Sequence, residues 1–314
     1  MAALDPGLLI FDTFAVIGRV VAGRLGLPAV HLCAGHAMVP SRTVPMRALD
    51  PKATPSPACH ATAATLRERY GLMNATPFSW LDGVSPLLNL YAEPPEFLRE
   101  EDRGAFAPLA FVGSLLPRLL EGNGADPFRP DGRRRVFVSF GSVAWSYYPE
   151  IAEARRLCIA EELGAVGAQV VMSTAGHALT GATAARLAQT GARVEAWVDQ
   201  RAALRNAEVF ITHHGLNSTH EAMWFGVPML SMPFFTDQPA LAARCQALGL
   251  ALPLVERAET ELVSGVVASQ LAALQADRSG FVARLREARR WEEAVIAGRD
   301  AVVDRMVALA LATA

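Results

Sequence analysis

"ITHHGLNSTHEAMWFGVP", residues 211 to 228, decides the fold class of this chain. An apolar run ends at Thr212. Two histidines and a glycine then fill a turn, and a helix-like segment opens near Asn217 and Ser218. Strand, tight turn and helix make up half of a βαβ unit, the element of a parallel sheet. Histidines at such a turn are either core filler or contacts to an anion.

The alternation continues on both sides of this stretch. "RVFVSFGS" (135 to 142) reads as a strand ending in Gly-Ser, and residues 150 to 164 fit a helix. "QVVMSTAG", "ARVEAWV", "EVFITHHG", "VPMLSMPFF" and "LALPL" read as further strands, with helices over 217 to 225 and 238 to 248. A separate series opens the chain: "LLIFD" is a buried-type strand, a helical pattern runs to Leu25, and "AVHLC" follows Pro28. Residues 40 to 60, rich in Pro and Ser, read as a loop. The tail from 280 is amphipathic and helical, with Trp291, Val295, Val302 and Met306 on one side. Two alternating series mean an α/β protein of two doubly wound, Rossmann-like domains. The expected boundaries are 1–120, a Gly/Pro/Asp-rich linker over 121–134, a second domain over 135–290, and a helix over 291–314 that returns to the first domain.

Composition narrows the function classes. The 314 residues are 52% hydrophobic, enough for sizeable cores. A net charge of -2 gives no electrostatic reason to expect nucleic acid. The four cysteines have no C-x-x-C spacing, which argues against a zinc cluster or disulfide framework and fits a reducing cytoplasm. Residues 163 to 185 lack charge but are broken by glycines and threonines, so they read as strand and loop and no membrane span is expected.

In such sheets ligands bind at the carboxyl ends of strands. Asn217 and Ser218 are expected to cap the helix whose N-terminus would suit phosphate, with His213 as a donor and Gly215 allowing close approach. Ser142 and the amides after Gly141 could reach the same anion. Taken alone, a strand-end histidine is more often satisfied by backbone, and an Asn-Ser pair is more often a plain cap. Trp197 could stack on a flat base or pack in the core. Glu221, one turn beyond Asn217, could hold two hydroxyls or be a solvated charge. Asp237 and Gln238 suit sugar hydroxyls or an N-cap. His214 has no assigned role, and His220 reads as a surface residue.

Together these residues resemble the C-terminal signature of the family 1 glycosyltransferases, the UDP-glycosyltransferase group with the GT-B fold, and in particular its bacterial natural-product branch. W-x-x-Q, T-H-x-G-x-N-S-x-x-E, G-V-P and P-x-x-x-D-Q follow in order over residues 197 to 238. The resemblance implies an inverting transfer of sugar from a UDP- or dTDP-sugar to a hydroxyl of a small, apolar acceptor. It implies that Trp197 stacks on the base and Gln200 reaches the ribose region. His213, Gly215, Asn217 and Ser218 would surround the diphosphate, and Ser142 would join them or the base pocket. Glu221 would hold the ribose hydroxyls, and Asp237 and Gln238 the sugar. His214 departs from the small residue common there, which would crowd the phosphate or add a donor. No D-x-D occurs, so neither a metal nor another cofactor is expected beside the nucleotide-sugar donor.

The front of the chain departs from the family pattern. Asp12 matches the aspartate that orients the family's base, a histidine on an earlier loop, but none of the eleven residues before it is His. The absent strands would amount to about ninety residues. Three explanations stand: a longer true chain, a separate polypeptide supplying the front, or a reduced domain that uses His36 or His60. A shortened sheet would expose an edge, and with it comes the expectation of a homodimer or a complementary subunit. The rival function is a degenerate nucleotide-sugar-binding subunit that transfers nothing without a partner's base.

Overall fold

The computed structural model describes residues 5–39, 55–73, 75–77, 84–115 and 124–312. It divides into two compact units, residues 1–115 with 291–314 and residues 116–290. In unit 1 the strands β1 (Leu9–Asp12), β2 (Ala29–Cys33), β3 (Asn89–Tyr91) and β4 (Leu109–Phe111) form one sheet in chain order. Every pairing is parallel, as the strand–helix–strand pattern requires. Helix α1 (Val16–Leu25) crosses from β1 to β2 and ends at Gly26, which takes the left-handed conformation.

Helix α2 covers Pro57–Tyr70, so the loop expected over 40 to 60 stops short of its end. Ser56 accepts a hydrogen bond from Cys59 N, and Pro57 takes the first helical position, where its missing N–H costs nothing. The rest of that expected loop, 40–54, lies outside the described residues. A short helix, α3 (Glu100–Arg103), precedes β4.

Unit 2 begins with β5 (Arg135–Ser139), a short α4 (Ala144–Tyr147) and α5 (Pro149–Ala165). There follow β6 (Gln169–Ser173), α6 (Gly181–Thr190), β7 (Arg193–Glu195), α7 (Gln200–Asn206), β8 (Val209–Thr212), α8 (Leu216–Phe225) and β9 (Met229–Ser231). Helix α9 (Gln238–Ala247), β10 (Ala251–Pro253), α10 (Val266–Ala276) and α11 (Arg278–Ala297) come next. The six strands run in the order β10-β9-β8-β5-β6-β7, all parallel. The chain builds outward from β5 in one direction and then restarts at β8 in the other. The carboxyl ends of β5 and β8 therefore flank a switch point, where doubly wound sheets open a crevice. Val136, Phe137, Val138, Val209, Phe210 and Ile211 are fully buried, which explains their near-continuous apolar runs.

Residues 124–134, expected as part of a linker, carry hydrogen bonds to the unit 2 sheet. Arg129 N donates to Gln169 Oε1 at 2.6 Å, and Gln169 Nε2 donates to Arg129 O at 3.1 Å. The remainder of that segment, 121–123, lies outside the described residues. The last helix, α12 (Arg299–Leu311), packs Val302, Met306 and Leu309 on the unit 1 cluster of Val30, Leu88, Leu90 and Val112. Arg299 donates to the carbonyls of Val112 and Ser114. Among the described residues, no helix is long and apolar enough to cross a membrane.

Candidate functional site

The switch point of unit 2 is walled by glycine. A Cβ on Gly141 would lie 2.5 Å from His213 Nε2, and one on Gly215 would lie 2.4 Å from it. Both distances are shorter than any real contact, so the imidazole fits only because both neighbours lack side chains. Gly141 also has φ +66°, a conformation costly for other residues. His213 is buried, and burial drives its pKa down to about 4 against a smaller opposing contribution from the Ser139 carbonyl. At neutral pH the ring is therefore uncharged and offers one N–H.

Helix α8 begins just beyond this ring. Its N-cap is Gly215, which makes no side-chain cap bond. This corrects the expectation that Asn217 and Ser218 are caps: both lie inside the first turn, Asn217 exposed and Ser218 buried. The first-turn N–H groups thus meet no cap side chain from Gly215, the arrangement that suits an anion.

A cleft of about 440 Å³ lies within unit 2, lined in part by Ser139, Gly141, Ser142, Ser173, Trp197 and Glu221. The sheet brings Ser139 and Ser173 side by side in parallel register. Gln200 and Arg201 join the lining from the start of α7. That helix is capped by Asp199, whose Oδ1 accepts from Ala202 N at 3.0 Å. The indole of Trp197 lies against Gly176, where an added Cβ would be 3.2 Å from the ring. The residue is nonetheless 71% exposed, so Trp197 is not core filler.

Glu221 is buried, not a solvated charge. Gln200 Nε2 donates to its Oε2 at 2.6 Å, and Arg201 Nε donates to its Oε1 at 3.1 Å. Gln200 also donates to Ser218 Oγ at 3.2 Å. Each carboxylate oxygen has more than one lone pair, so Glu221 can accept a ligand hydroxyl while keeping these bonds. Arg201 was not singled out from the sequence, although it follows the signature glutamine directly.

Two other histidines differ from expectation. His214 has φ +60° and is fully buried. Its Nε2 lies 2.9 Å from Ser231 Oγ, and its Nδ1 lies 3.2 Å from Thr219 Oγ1. Its ring ties β8, β9 and α8 together and neither crowds nor serves an anion at the helix tip. His220, expected at the surface, is 1% exposed, because α8 is buried over residues 218 to 223. Gln238 is buried too. Its Oε1 accepts from Phe234 N at 3.0 Å and Phe235 N at 3.4 Å, so it shapes the turn that presents Asp237. Asp237 is half-buried at the N-cap of α9 and makes no side-chain cap bond.

A profile of the family described as "UDP-glucoronosyl and UDP-glucosyl transferase" matches residues 128–277. Residues 128–277, which hold the cleft and its lining, are therefore a domain of that family, the family 1 glycosyltransferases. The chain is 28% identical over 249 residues to the NDP-glycosyltransferase YjiC of Bacillus licheniformis, covering 78% of this chain and 59% of that relative. It therefore spans less than two thirds of this relative's length. Its fold is that of GT-B glycosyltransferases. The glycotransferase of kitacinnamycin superposes with TM-score 0.73 at 23% identity, over 96% of this chain and 76% of that one. The spinosyn rhamnosyltransferase SpnG, solved with thymidine diphosphate, gives TM-score 0.63 at 24% identity, over 93% and 71%.

In unit 1, Asp12 closes β1, and its Oδ1 accepts from Phe14 N at 2.7 Å and Ala15 N at 2.9 Å. It thus also holds the turn into α1. His36 and Glu93 form a buried pair, with Nδ1 2.7 Å from Oε2, on loops after β2 and β3. Ala37 N donates to Tyr91 Oη beside them at 2.9 Å. His60 stands exposed on α2. Glu93 went unnoticed in the sequence, where a lone glutamate before two prolines carries no signal.

Proposed function

We propose that this chain is a nucleotide-sugar-dependent glycosyltransferase whose unit 2 holds a UDP- or dTDP-sugar. The observation that carries the reading is the glycine-walled His213 beside an N-cap without a side-chain bond, next to a cleft lined by Trp197 and Glu221. The exposed face of Trp197 receives the base, and Glu221 the ribose hydroxyls. Ser142, the neutral His213 and the first turn of α8 receive the diphosphate, with Gly215, Asn217 and Ser218 around it. Asp237 meets the sugar, and Gln238 holds the turn that presents it.

The reaction is an inverting displacement. An acceptor hydroxyl attacks the anomeric carbon, the bond to the diphosphate oxygen breaks, and the electron pair leaves with the diphosphate. The hydroxyl proton passes to a base. N–H donors fixed before the reaction stabilise the leaving charge, which is electrostatic preorganisation. No divalent metal is required, so EDTA should leave turnover unchanged. The setting is the cytosol, in keeping with four free cysteines.

Among the histidines considered, His36 is the proposed base, a reading supported by its pairing with buried Glu93, which can orient the ring. Asp12 then serves chiefly the turn. A second reading, a donor-binding subunit completed by a partner, is favoured by a different observation. Among the described residues β1 is an edge strand, and Ile10, Phe14 and Ile17 are 52%, 57% and 69% exposed. The deciding experiment is to incubate the purified chain with UDP-glucose or a dTDP-sugar and a panel of phenolic acceptors. Product that disappears in His36→Gln but persists in Asp12→Asn supports the first reading. Donor binding by calorimetry without product supports the second, and binding of neither nucleotide would sink both.

A further inference from the structure

Helix α5 carries two adjacent buried arginines that are received very differently. Arg155 Nη2 donates to the carbonyls of Arg257, Ala258 and Thr260 at 3.0, 2.9 and 2.8 Å. It pins the segment after β10 to the helix. Arg156 is 0% exposed, and its single hydrogen bond runs from Nη2 to Ser173 O at 2.6 Å. Among the described residues its Nε and Nη1 have no acceptor, and neither does Nε1 of Trp145, over whose ring the guanidinium lies at 4.3 Å. Burial lowers the Arg156 pKa to about 9, so the group remains a cation at neutral pH. The carboxylate whose charge it feels, Glu153, is engaged by Thr180 N and Oγ1.

A buried cation without a contacting anion is costly, and packing on a tryptophan recovers only part of that cost. Its location gives the cost a use. Ser173, which takes its one hydrogen bond, lines the cleft of unit 2. Phe140, 5.7 Å from the guanidinium, precedes Gly141 in the same lining. Trp145 stacks on His177 at 5.5 Å, and His177 Nε2 lies 3.3 Å from Ser142 O. The charge therefore touches the backbone of Ser173 in the cleft wall and connects to Ser142 through Trp145 and His177.

We infer that Arg156 is a positioning residue for the anionic part of a nucleoside diphosphate, supplying from behind the cleft wall a buried positive charge that the bound diphosphate counters. This rests on the proposed function, because the ligand is the one assigned there. No direct contact is needed: across one layer of low-dielectric protein a full charge acts far more strongly than through water. The cation also favours the diphosphate over the uncharged nucleoside, whose base and ribose lie against Trp197 and Glu221.

Calorimetry with UDP and with uridine tests this on the whole chain. Arg156→Gln keeps a donor for the Ser173 carbonyl but removes the charge. It should weaken UDP by about tenfold while leaving uridine within about twofold, and Arg156→Lys should restore most of the loss. A purely structural role would weaken both ligands alike, and that result, or unchanged UDP affinity in a folded Arg156→Gln, overturns the inference. If Arg156→Gln does not fold, Glu153→Gln decides: removing the neighbouring negative charge should tighten UDP by about twofold but not uridine. No gain for UDP overturns the inference. Failure of the unaltered chain to bind either ligand instead removes the proposed function beneath it.

Discussion

Each unit buries a histidine on or just beyond a parallel strand, and the two have opposite fates. His31 of β2 and His213 after β8 are both nearly inaccessible, and burial lowers both pKa values to about 4. Around His31 every place is taken. Thr13 Oγ1 lies 3.0 Å from Nε2, Asn89 Oδ1 lies 3.3 Å from Nδ1, and Phe11 packs 5.2 Å from the ring. Asn89 is itself fixed by Ser85 N and Ser85 O, both at 2.7 Å. His213 instead lies against Gly141 and Gly215, which contribute no side chains. The same residue type under the same desolvation is therefore a core strut in one sheet and, in the proposed reading, a ligand donor in the other. What separates them is the volume left beside the ring.

The largest expected effect would come from filling that volume. Gly141→Ala places a Cβ against His213 and forces a strained φ, so nucleoside diphosphate affinity should fall by roughly 3 kcal/mol, about two orders of magnitude. The counterpart in unit 1, Gly26→Ala, meets no neighbour within 4 Å. It should cost only about 1 kcal/mol of stability, with binding unchanged. Calorimetry and thermal melts on both variants would break the comparison if the two behaved alike.

Acid should act on both histidines. Their folded pKa values lie below the ordinary 6.5, so the unfolded chain takes up protons first as pH falls. Stability is whole above about pH 6.5 and is lost as pH drops toward 4, by roughly 3 kcal/mol per histidine. Denaturant melts over that range should flatten in His31→Asn and in His213→Asn. Only the His213 variant should also lose diphosphate affinity, and a loss in both would erase the distinction.

Smaller effects sharpen the picture within unit 2. Trp197→Ala should weaken nucleotide binding by about 1–2 kcal/mol with no change in melting temperature, because the exposed indole contributes little packing. Ser218→Ala removes one acceptor from Gln200 and should cost about 0.5–1 kcal/mol in binding, read by titration. Were Trp197→Ala to destabilise the fold instead, the residue would belong with His31 as a strut.

Much of unit 2 was legible because its strands are buried on both faces and read as apolar runs ending in small or polar residues. The elements missed were helices and, in unit 1, the strands β3 and β4. α6 spans Gly181–Thr190, which begins inside a stretch read as strand and loop, because its glycine and threonines weigh against a helix in isolation. Packing against α5 and the cap bond from Thr180 override that propensity. α2 was hidden in a Pro/Ser-rich segment for a related reason: Ser56 and Pro57, which read as loop residues, are its cap and first position. The site residues were found as types in order, but their partners were not. Arg201 on Glu221, Glu93 on His36 and Ser231 on His214 each come from another element, and no local spacing announces them.

The sequence by itself determined the class of the fold, the direction of its sheets and the order of residues at the strand ends, because those depend on local periodicity and turn chemistry. Only the tertiary structure decided which histidine lies between two glycines, which carboxylates are held by arginine or histidine, and where a buried charge lacks a counter-ion among the described residues. Desolvation, free volume and pairing are set by what the rest of the chain places around a side chain, and neighbours in sequence do not determine them.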